Sequence, residues 1–201
     1  MISEAELEKL IEHYQGELAE LFSLYKSLEN SHFMKKYNAE NIDLTELKDN
    51  IKYLLFFLSC FLDILISLKV LYNTKLDWER KFHISNGFVT IYEAIKTFNK
   101  HQKRIRPFLE QNYNQLNEEF NSISINIRDF KKKYNYDSEI ANFRNTAGAH
   151  YDENFIEYMN NLNAIDKPVS VIAIKEFGDI LDSLLIFWNK IIEELYKKLK
   201  D

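Results

Sequence analysis

The stretch "YLLFFLSCFLDILISLKVLY", Tyr53 to Tyr72, is the most apolar part of the chain. Its middle is apolar on nearly every side of a helix, which predicts a helix at the centre of a bundle. A membrane-spanning helix needs about 20 mostly apolar residues with few or no charges. Asp63 and Lys69 interrupt this run. We therefore expect a core helix, and no membrane as a partner.

The rest of the composition agrees with a helical protein. Four glycines and two prolines in 201 residues leave few positions for turns. Long helices joined by few connections fit this pattern, whereas sandwiches and barrels need many hairpins. The chain is 46% apolar and long enough to bury a core without a metal or a disulfide. We predict an all-α fold, an antiparallel up-and-down bundle of about five to seven helices in a single domain over residues 1–201.

Apolar residues at steps of three and four predict where the helices lie. Pro107 suits the first turn of a helix and is expected to begin one. The segment "SVIAI", Ser170 to Ile174, is rich in β-branched residues and predicts a short extended stretch. The predicted helices are Glu4 to Leu28, Thr45 to Tyr72, Trp78 to Lys100, Pro107 to Lys132, a short one from Asp137 or Ser138, Glu153 to Leu162, and Ile174 to Leu199.

The single cysteine and the net charge indicate a compartment and limit the partners. Cys60 cannot form an intrachain disulfide, which favours a reducing compartment, and we expect it to be buried like a small hydrophobic residue. The first residues lack the pattern of a signal peptide, so the expected location is cytoplasmic. The net charge of −5 disfavours extensive nonspecific binding of nucleic acid but leaves room for a small basic site.

A polar row on the third predicted helix is a candidate cleft lining. Its members are spaced by three and four residues and so share one helix face; they are Glu79, His83, Asn86, Thr90 and Glu93. The alternative interpretation is a solvent-facing stripe. A ferritin-like metal site needs two Glu-x-x-His motifs and two further carboxylates. The chain lacks such a pair of motifs, so no metal site is predicted, and a metal-bearing bundle enzyme is disfavoured.

A basic segment follows, "KTFNKHQKRIR", Lys96 to Arg106. Cations near the C-terminal end of a helix oppose its dipole, and this role is one explanation for the cluster. The other is contact with an RNA phosphate backbone, which confers affinity without sequence specificity. The candidate RNA-binding residues are Lys100, Lys103, Arg104 and Arg106, with Lys131, Lys132 and Lys133 as further contributors.

The stretch "FRNTAGAHYD", Phe143 to Asp152, holds the candidate catalytic residues. On one unbroken helix Arg144 and His150 would point about 120° apart. Gly148 can adopt a left-handed conformation and end the helix, which would fold His150 back towards Arg144. A guanidinium can bind a phosphate with two hydrogen bonds, and an imidazole can transfer protons near neutral pH. The alternative is a structural pair in which Arg144 binds a carboxylate such as Asp152.

The segment "RNTAGAHY" resembles the Arg-x(4–6)-His signature of HEPN domains. Five residues separate Arg144 from His150, and Asn145 occupies the polar position after the arginine. "AHYD" and the preceding "DWERKF…TIYEAI" are similar to HEPN-like proteins of bacterial abortive-infection and toxin–antitoxin systems. The resemblance covers about Leu44 to Leu199, with residues 1–43 as an N-terminal helical elaboration.

The resemblance implies a helical homodimer in which two motifs form one cleft. It implies a metal-independent endoribonuclease without a cofactor, in which Arg144 binds the scissile phosphate and His150 transfers protons. Asn145 would support this pair and Tyr151 would assist. RNA and a cognate antitoxin or defence partner are the implied partners. The alternative is a noncatalytic helical module that binds RNA or another protein.

Overall fold

The computed structural model describes residues 4–30, 44–147 and 155–198. These residues form an all-α bundle, which confirms the predicted fold class. One 3₁₀ turn, Asn114–Leu116, lies between the third and fourth α-helices. The seven α-helices of the described residues are α1 Glu4–Glu29, α2 Thr45–Asn73, α3 Asp77–Asn112, α4 Asn117–Lys133, α5 Ile140–Ala147, α6 Phe155–Ala164 and α7 Lys167–Lys198.

The apolar helix α2 lies at the centre of the bundle. It packs most extensively on α7, and also on α1 and α3. It is long and apolar enough to cross a membrane, yet 61% of its most apolar window is buried inside the protein, as in the core helix of a globular domain. Cys60 is buried here, and burial raises the pKa of its thiol to about 12. A thiol that stays protonated is a poor nucleophile, and Cys60 serves the packing.

Helix α1 belongs to the same hydrophobic core. Leu7 and Leu28 are buried in it. The ring of Tyr14 makes an edge-to-face contact with Phe61 of α2, with centroids 5.0 Å apart. Lys69 Nζ of α2 donates to Glu8 Oε1 at 2.5 Å. The N-terminal elaboration predicted for residues 1–43 therefore includes α1, which packs against α2.

Helix α3 is longer than predicted. The sequence predicts that one helix ends near Lys100 and another begins at Pro107, but α3 is continuous from Asp77 to Asn112 with Pro107 inside it. Proline in a helix interior removes one hydrogen bond and crowds the preceding turn. Pro107 is exposed, so water can solvate the unpaired carbonyl, while buried Ile105 and Leu109 hold both sides in the core. Tertiary packing thus outweighs the local preference for a break.

Helix α7 also begins earlier than predicted. The extended stretch predicted for Ser170 to Ile174 is wrong, because α7 is helical from Lys167. Asp166 Oδ1 accepts a hydrogen bond from the backbone N–H of Val169 at 3.2 Å, as a helix cap does. Ala173 and Ile174 are buried against the core. Burial of such side chains is worth more than the fraction of a kcal/mol by which β-branched residues disfavour a helix.

Candidate functional site

Arg144 lies on the short helix α5, which packs against α3. Ile140 and Phe143 anchor α5, and the Phe143 ring makes an edge contact with Phe88 of α3 at 5.8 Å between centroids. Arg144 comes four residues after Ile140, so it lies on the same side of α5. Its Nη2 donates to Glu93 Oε1 at 2.9 Å, and its guanidinium lies 5.0 Å from the centre of the Tyr92 ring.

The two contacts hold the guanidinium without enclosing it. A partly exposed ion pair contributes about 0–1 kcal/mol, and a cation–π contact about 0.5–1 kcal/mol. The Arg144 side chain remains 35% exposed. Arginine carries five N–H donors, and among the described residues only one of them donates to another side chain. Arg144 is therefore positioned by α3 and still able to bind an anion.

Of the other residues of the motif, the structure describes only some. Asn145 is exposed at the surface of α5. Gly148, His150 and Tyr151 lie outside the described residues. The bend at Gly148 and the convergence of His150 on Arg144 stay predictions. Arg144 pairs with Glu93 of α3. The structural alternative predicted from the sequence paired it with a carboxylate such as Asp152, which lies outside the described residues.

The polar row of α3 does not line one cleft. The Glu79 carboxylate accepts a hydrogen bond from the Thr74 hydroxyl at the start of α3. Glu93 binds Arg144 and also lies 3.5 Å from Lys96 Nζ. The remaining three lie together in a pocket of about 300 Å³ between α2 and α3; they are His83, Asn86 and Thr90, with Asp63 and Ser67 of α2 opposite.

His83 is the unusual member of this small pocket. Its Nδ1 is buried and has no hydrogen-bond partner among the described residues. Burial lowers the pKa of His83, although the nearby Glu79 carboxylate acts in the opposite direction. The ring is therefore neutral at neutral pH. An unpaired, buried ring nitrogen destabilises the fold slightly, and the partial burial of the ring makes its protonation unfavourable.

The basic residues expected to bind RNA as one cluster lie on different sides of α3. Arg104 Nη1 donates to Asp49 Oδ2 of α2 at 2.5 Å, and its guanidinium lies 5.8 Å from the Tyr53 ring. Arg106 faces α4 instead. Residues two apart on a helix point about 200° apart, which explains the separation. Lys100 and Lys103 are exposed.

Arg106 lies in an open groove of about 600 Å³ between α3 and α4. Arg128 and Lys131 of α4 line the same groove. Lys131 is among the residues that the sequence associates with the basic cluster, but Arg128 was missed. The available signal was its spacing from Ser124 and Lys131, four and three residues, which puts all three on one face of α4.

A row of stacked side chains connects this groove with Arg144. The rings of Tyr92 and Tyr136 are nearly parallel, with an angle of 8° and centroids 6.2 Å apart. Lys131 Nζ lies 4.7 Å from the centre of the Tyr136 ring. Arg144 covers Tyr92, so the row runs Arg144, Tyr92, Tyr136, Lys131. Burial raises the pKa of Tyr136, so its ring is uncharged between the two cations.

No protein-family model, curated protein or solved structure matches this chain. Within residues 4–30, 44–147 and 155–198, no group of three or more His, Cys, Asp or Glu side chains is arranged to hold a metal ion. The resemblance to HEPN domains consequently depends on the Arg144-to-His150 motif and on the helical context.

Proposed function

We propose that this protein is a HEPN-like, metal-independent endoribonuclease of a bacterial defence or toxin–antitoxin system. The observation that carries the proposal is the setting of Arg144, the first residue of the Arg-Asn…His motif. Two consecutive residues of α3 position its guanidinium, and the side chain stays 35% exposed. A positioned, accessible arginine is what phosphate binding requires.

The proposed reaction uses the ribose 2′-hydroxyl as the nucleophile. His150 removes the proton of this hydroxyl, the 2′-oxygen attacks phosphorus, and the bond from phosphorus to the 5′-oxygen breaks. The leaving 5′-oxygen takes up one proton from an acid. The products are a 2′,3′-cyclic phosphate and a 5′-hydroxyl. Arg144 stabilises the negative charge that develops on the phosphate oxygens, and Asn145 supports the two residues.

The proposal includes a homodimer in which the second copy supplies the acid. Its protonated His150 would donate the proton to the leaving oxygen. Exposed apolar residues where α3 begins support an interface between proteins: Leu76, Trp78 and Phe82 are 68%, 57% and 52% exposed. Light scattering of the wild-type protein should give twice the monomer mass, and Trp78→Glu should shift it towards the monomer. If the wild-type protein is a monomer even at high concentration, no shared cleft forms and the proposed homodimer is wrong.

The decisive experiment is cleavage of single-stranded RNA in excess chelator. Wild-type protein should leave cyclic phosphate and 5′-hydroxyl ends. Arg144→Ala and His150→Ala should each lower the rate at least about 100-fold, as expected for loss of proton transfer or charge stabilisation. Arg144→Lys keeps the charge but loses the planar pair of donors, so it should restore little activity.

Matched controls exclude trivial explanations. His13 is an exposed histidine of α1, so His13→Ala should cut RNA like the wild type. Thermal unfolding of each variant should show that the fold is intact. If wild-type protein leaves RNA uncut, or if the Arg144 and His150 variants cut it normally, the proposed nuclease is wrong.

The ion pair between Arg144 and Glu93 supports one alternative. In this alternative the protein is a noncatalytic module, and Arg144 stabilises the packing of α5 on α3. Loss of both Arg144 contacts should then cost about 0.5–2 kcal/mol of stability. Under this alternative, Arg144→Ala lowers the melting temperature, no RNA is cut, and any RNA or protein partner binds without turnover.

A further inference from the structure

The groove between α3 and α4 is built from two facing polar stripes. Asn99, Gln102 and Arg106 of α3 are spaced by three and four residues. The stripe of α4 has the spacing three, four, three and consists of Asn121, Ser124, Arg128 and Lys131. Each stripe therefore runs along one face of its helix. Phe98, Ile125 and Ile127 supply the apolar part of the lining.

The charge of the groove is opposite to that of the whole chain. The protein has a net charge of −5, but the described residues that line the groove include three cations and no carboxylate. The carboxylates nearest to the cations are weak partners. Arg128 Nε lies 3.6 Å from Asp129, and Lys131 Nζ lies 3.7 Å from Asp137, with both carboxylates more than 60% exposed. Such pairs contribute little in water.

Arg106 is held in place by neutral groups. Its Nη1 donates to Asn121 Oδ1 at 2.7 Å and its Nη2 to Ser124 Oγ at 3.3 Å, while its guanidinium covers the Phe120 ring at 5.2 Å. Arg104, two residues away, binds the carboxylate of Asp49 instead. Among the described residues Arg106 forms no salt bridge. Its position is therefore fixed while its charge remains available to an anion.

We infer that this groove binds the backbone of single-stranded RNA. The inference rests on the proposed nuclease for the class of its ligand, and it adds a binding surface outside the Arg144 motif. From Asn121 to Lys131 the α4 stripe extends about 15 Å, which a stacked strand covers with about four nucleotides. Lys and Arg bind phosphates, amides bind phosphates or base edges, and guanidinium planes stack on bases.

The stacked row of side chains places Arg144 beyond the Lys131 end of the groove. Lys131 stands at the end of the groove where Tyr136, Tyr92 and Arg144 follow, with neighbouring groups 4.7–6.2 Å apart. Tyr136 is buried, so this row is a structural link between the groove and Arg144 and not a surface on which the strand lies. The groove holds the strand, and the motif acts on the phosphate that reaches it.

The test is binding of fluorescein-labelled oligo-uridine to the full chain by fluorescence anisotropy in chelator. All proteins carry Arg144→Ala, so that cleavage does not disturb the measurement. Arg128→Gln with Lys131→Gln removes two groove cations. Lys26→Gln with Lys175→Gln removes two exposed cations elsewhere and is the matched control. The double substitution in the groove should raise the Kd for oligo-uridine roughly tenfold at low salt, and the control double substitution should raise it less than about twofold.

Salt dependence gives a second readout. Each phosphate contact to single-stranded RNA adds about 0.7 to the magnitude of the slope of log K against log salt. The double substitution Arg128→Gln with Lys131→Gln removes two such contacts and should therefore lower this magnitude by about 1.4. Between about 50 and 200 mM salt, the affinity without the groove substitutions should then fall about sevenfold more than the affinity with them. Unchanged Kd and slope in a folded groove variant would overturn the inference.

Asn121→Asp separates binding from folding. The aspartate has nearly the same shape, keeps the acceptor for Arg106 and neutralises its charge. The variant should be at least as stable as the parent protein and should still bind RNA about fivefold less tightly or worse, which a purely structural role of Arg106 does not explain. Normal RNA binding by stable Asn121→Asp contradicts the inference.

The outcomes distinguish this inference from the proposed nuclease. Groove-dependent binding by a wild-type protein that never cuts RNA refutes the nuclease and leaves the groove. Cleavage that needs Arg144 and His150 but binding that ignores the groove refutes the groove and leaves the nuclease. Equal, groove-dependent affinity for duplex DNA would refute the assignment to single-stranded RNA.

Discussion

The packing of Gly87 of α3 against Ile174 of α7 provides a quantitative test of the structure. Gly87 of α3 is buried and faces Ile174 of α7. A Cβ placed on Gly87 would lie 2.6 Å from Ile174 Cδ1 and 2.9 Å from its Cγ1, closer than real Cβ contacts come. Ile174 is fully buried. Close-packed surroundings leave it little room to move.

Two opposing terms set the effect of Gly87→Ala. Alanine is better than glycine in a helix interior by about 1 kcal/mol. Overpacking a filled core costs about 1–3 kcal/mol. The net loss of stability should be about 0–2 kcal/mol. Gly16 of α1 provides the control, because nothing lies within 4 Å of its added Cβ, and Gly16→Ala should raise stability by up to about 1 kcal/mol.

Urea denaturation followed by circular dichroism measures both variants. The propensity term is shared, so the difference between them should equal the packing term, about 1–3 kcal/mol. Ile174→Val removes the Cδ1 atom and alone should cost about 0.5–1.5 kcal/mol. Combined with Gly87→Ala, it should relieve the Cδ1 part of the clash while the Cγ1 contact at 2.9 Å remains, so that the double variant is about 1 kcal/mol more stable than the sum of the singles.

Two outcomes would contradict this description of the packing. If Gly87→Ala stabilises the protein as much as Gly16→Ala, the two helices do not approach as closely as described. If the Gly87 and Ile174 substitutions are additive, the lost stability has another origin.

Three further predictions concern the site, the pH dependence and the long helix. Glu93→Gln keeps a hydrogen-bond acceptor for Arg144 but removes the charge; RNA cleavage should fall about threefold to tenfold while the fold persists, and an unchanged rate would show that Glu93 does not position Arg144. The lowered pKa of His83 means that the unfolded chain binds more protons near and below pH 6.5. Stability should therefore fall as pH decreases from about 7.5 to about 5.5, and less steeply in His83→Gln; the same decrease in both proteins would contradict the buried, neutral ring. Pro107→Ala restores an N–H inside a continuous α3 and should raise the free energy of unfolding by about 1–3 kcal/mol in urea titrations; no gain would favour a helix that begins at Pro107.

Periodic patterns predict the long helices because they depend on near neighbours. The apolar run from Tyr53 to Tyr72 identifies α2 and its central place, and the stripe of apolar residues at steps of three and four identifies α1. Both patterns reflect which residues share a helix face, and this depends only on 3.6 residues per turn. Sequence reasoning failed at Pro107 and at Ser170 to Ile174, where burial of side chains in or beside the segment outweighs the local preference against a helix.

The candidate site follows the same division. The Arg-Asn…His motif is visible in the sequence because its residues are neighbours in the chain. The partner of Arg144 is Glu93, 51 residues away, and the groove unites Arg106 with Arg128 and Lys131 from another helix. These groupings depend on how far each helix is rotated and shifted against the next. Many buried contacts set that arrangement together, so only the tertiary structure decided that Arg104 binds α2 while Arg106 faces the groove.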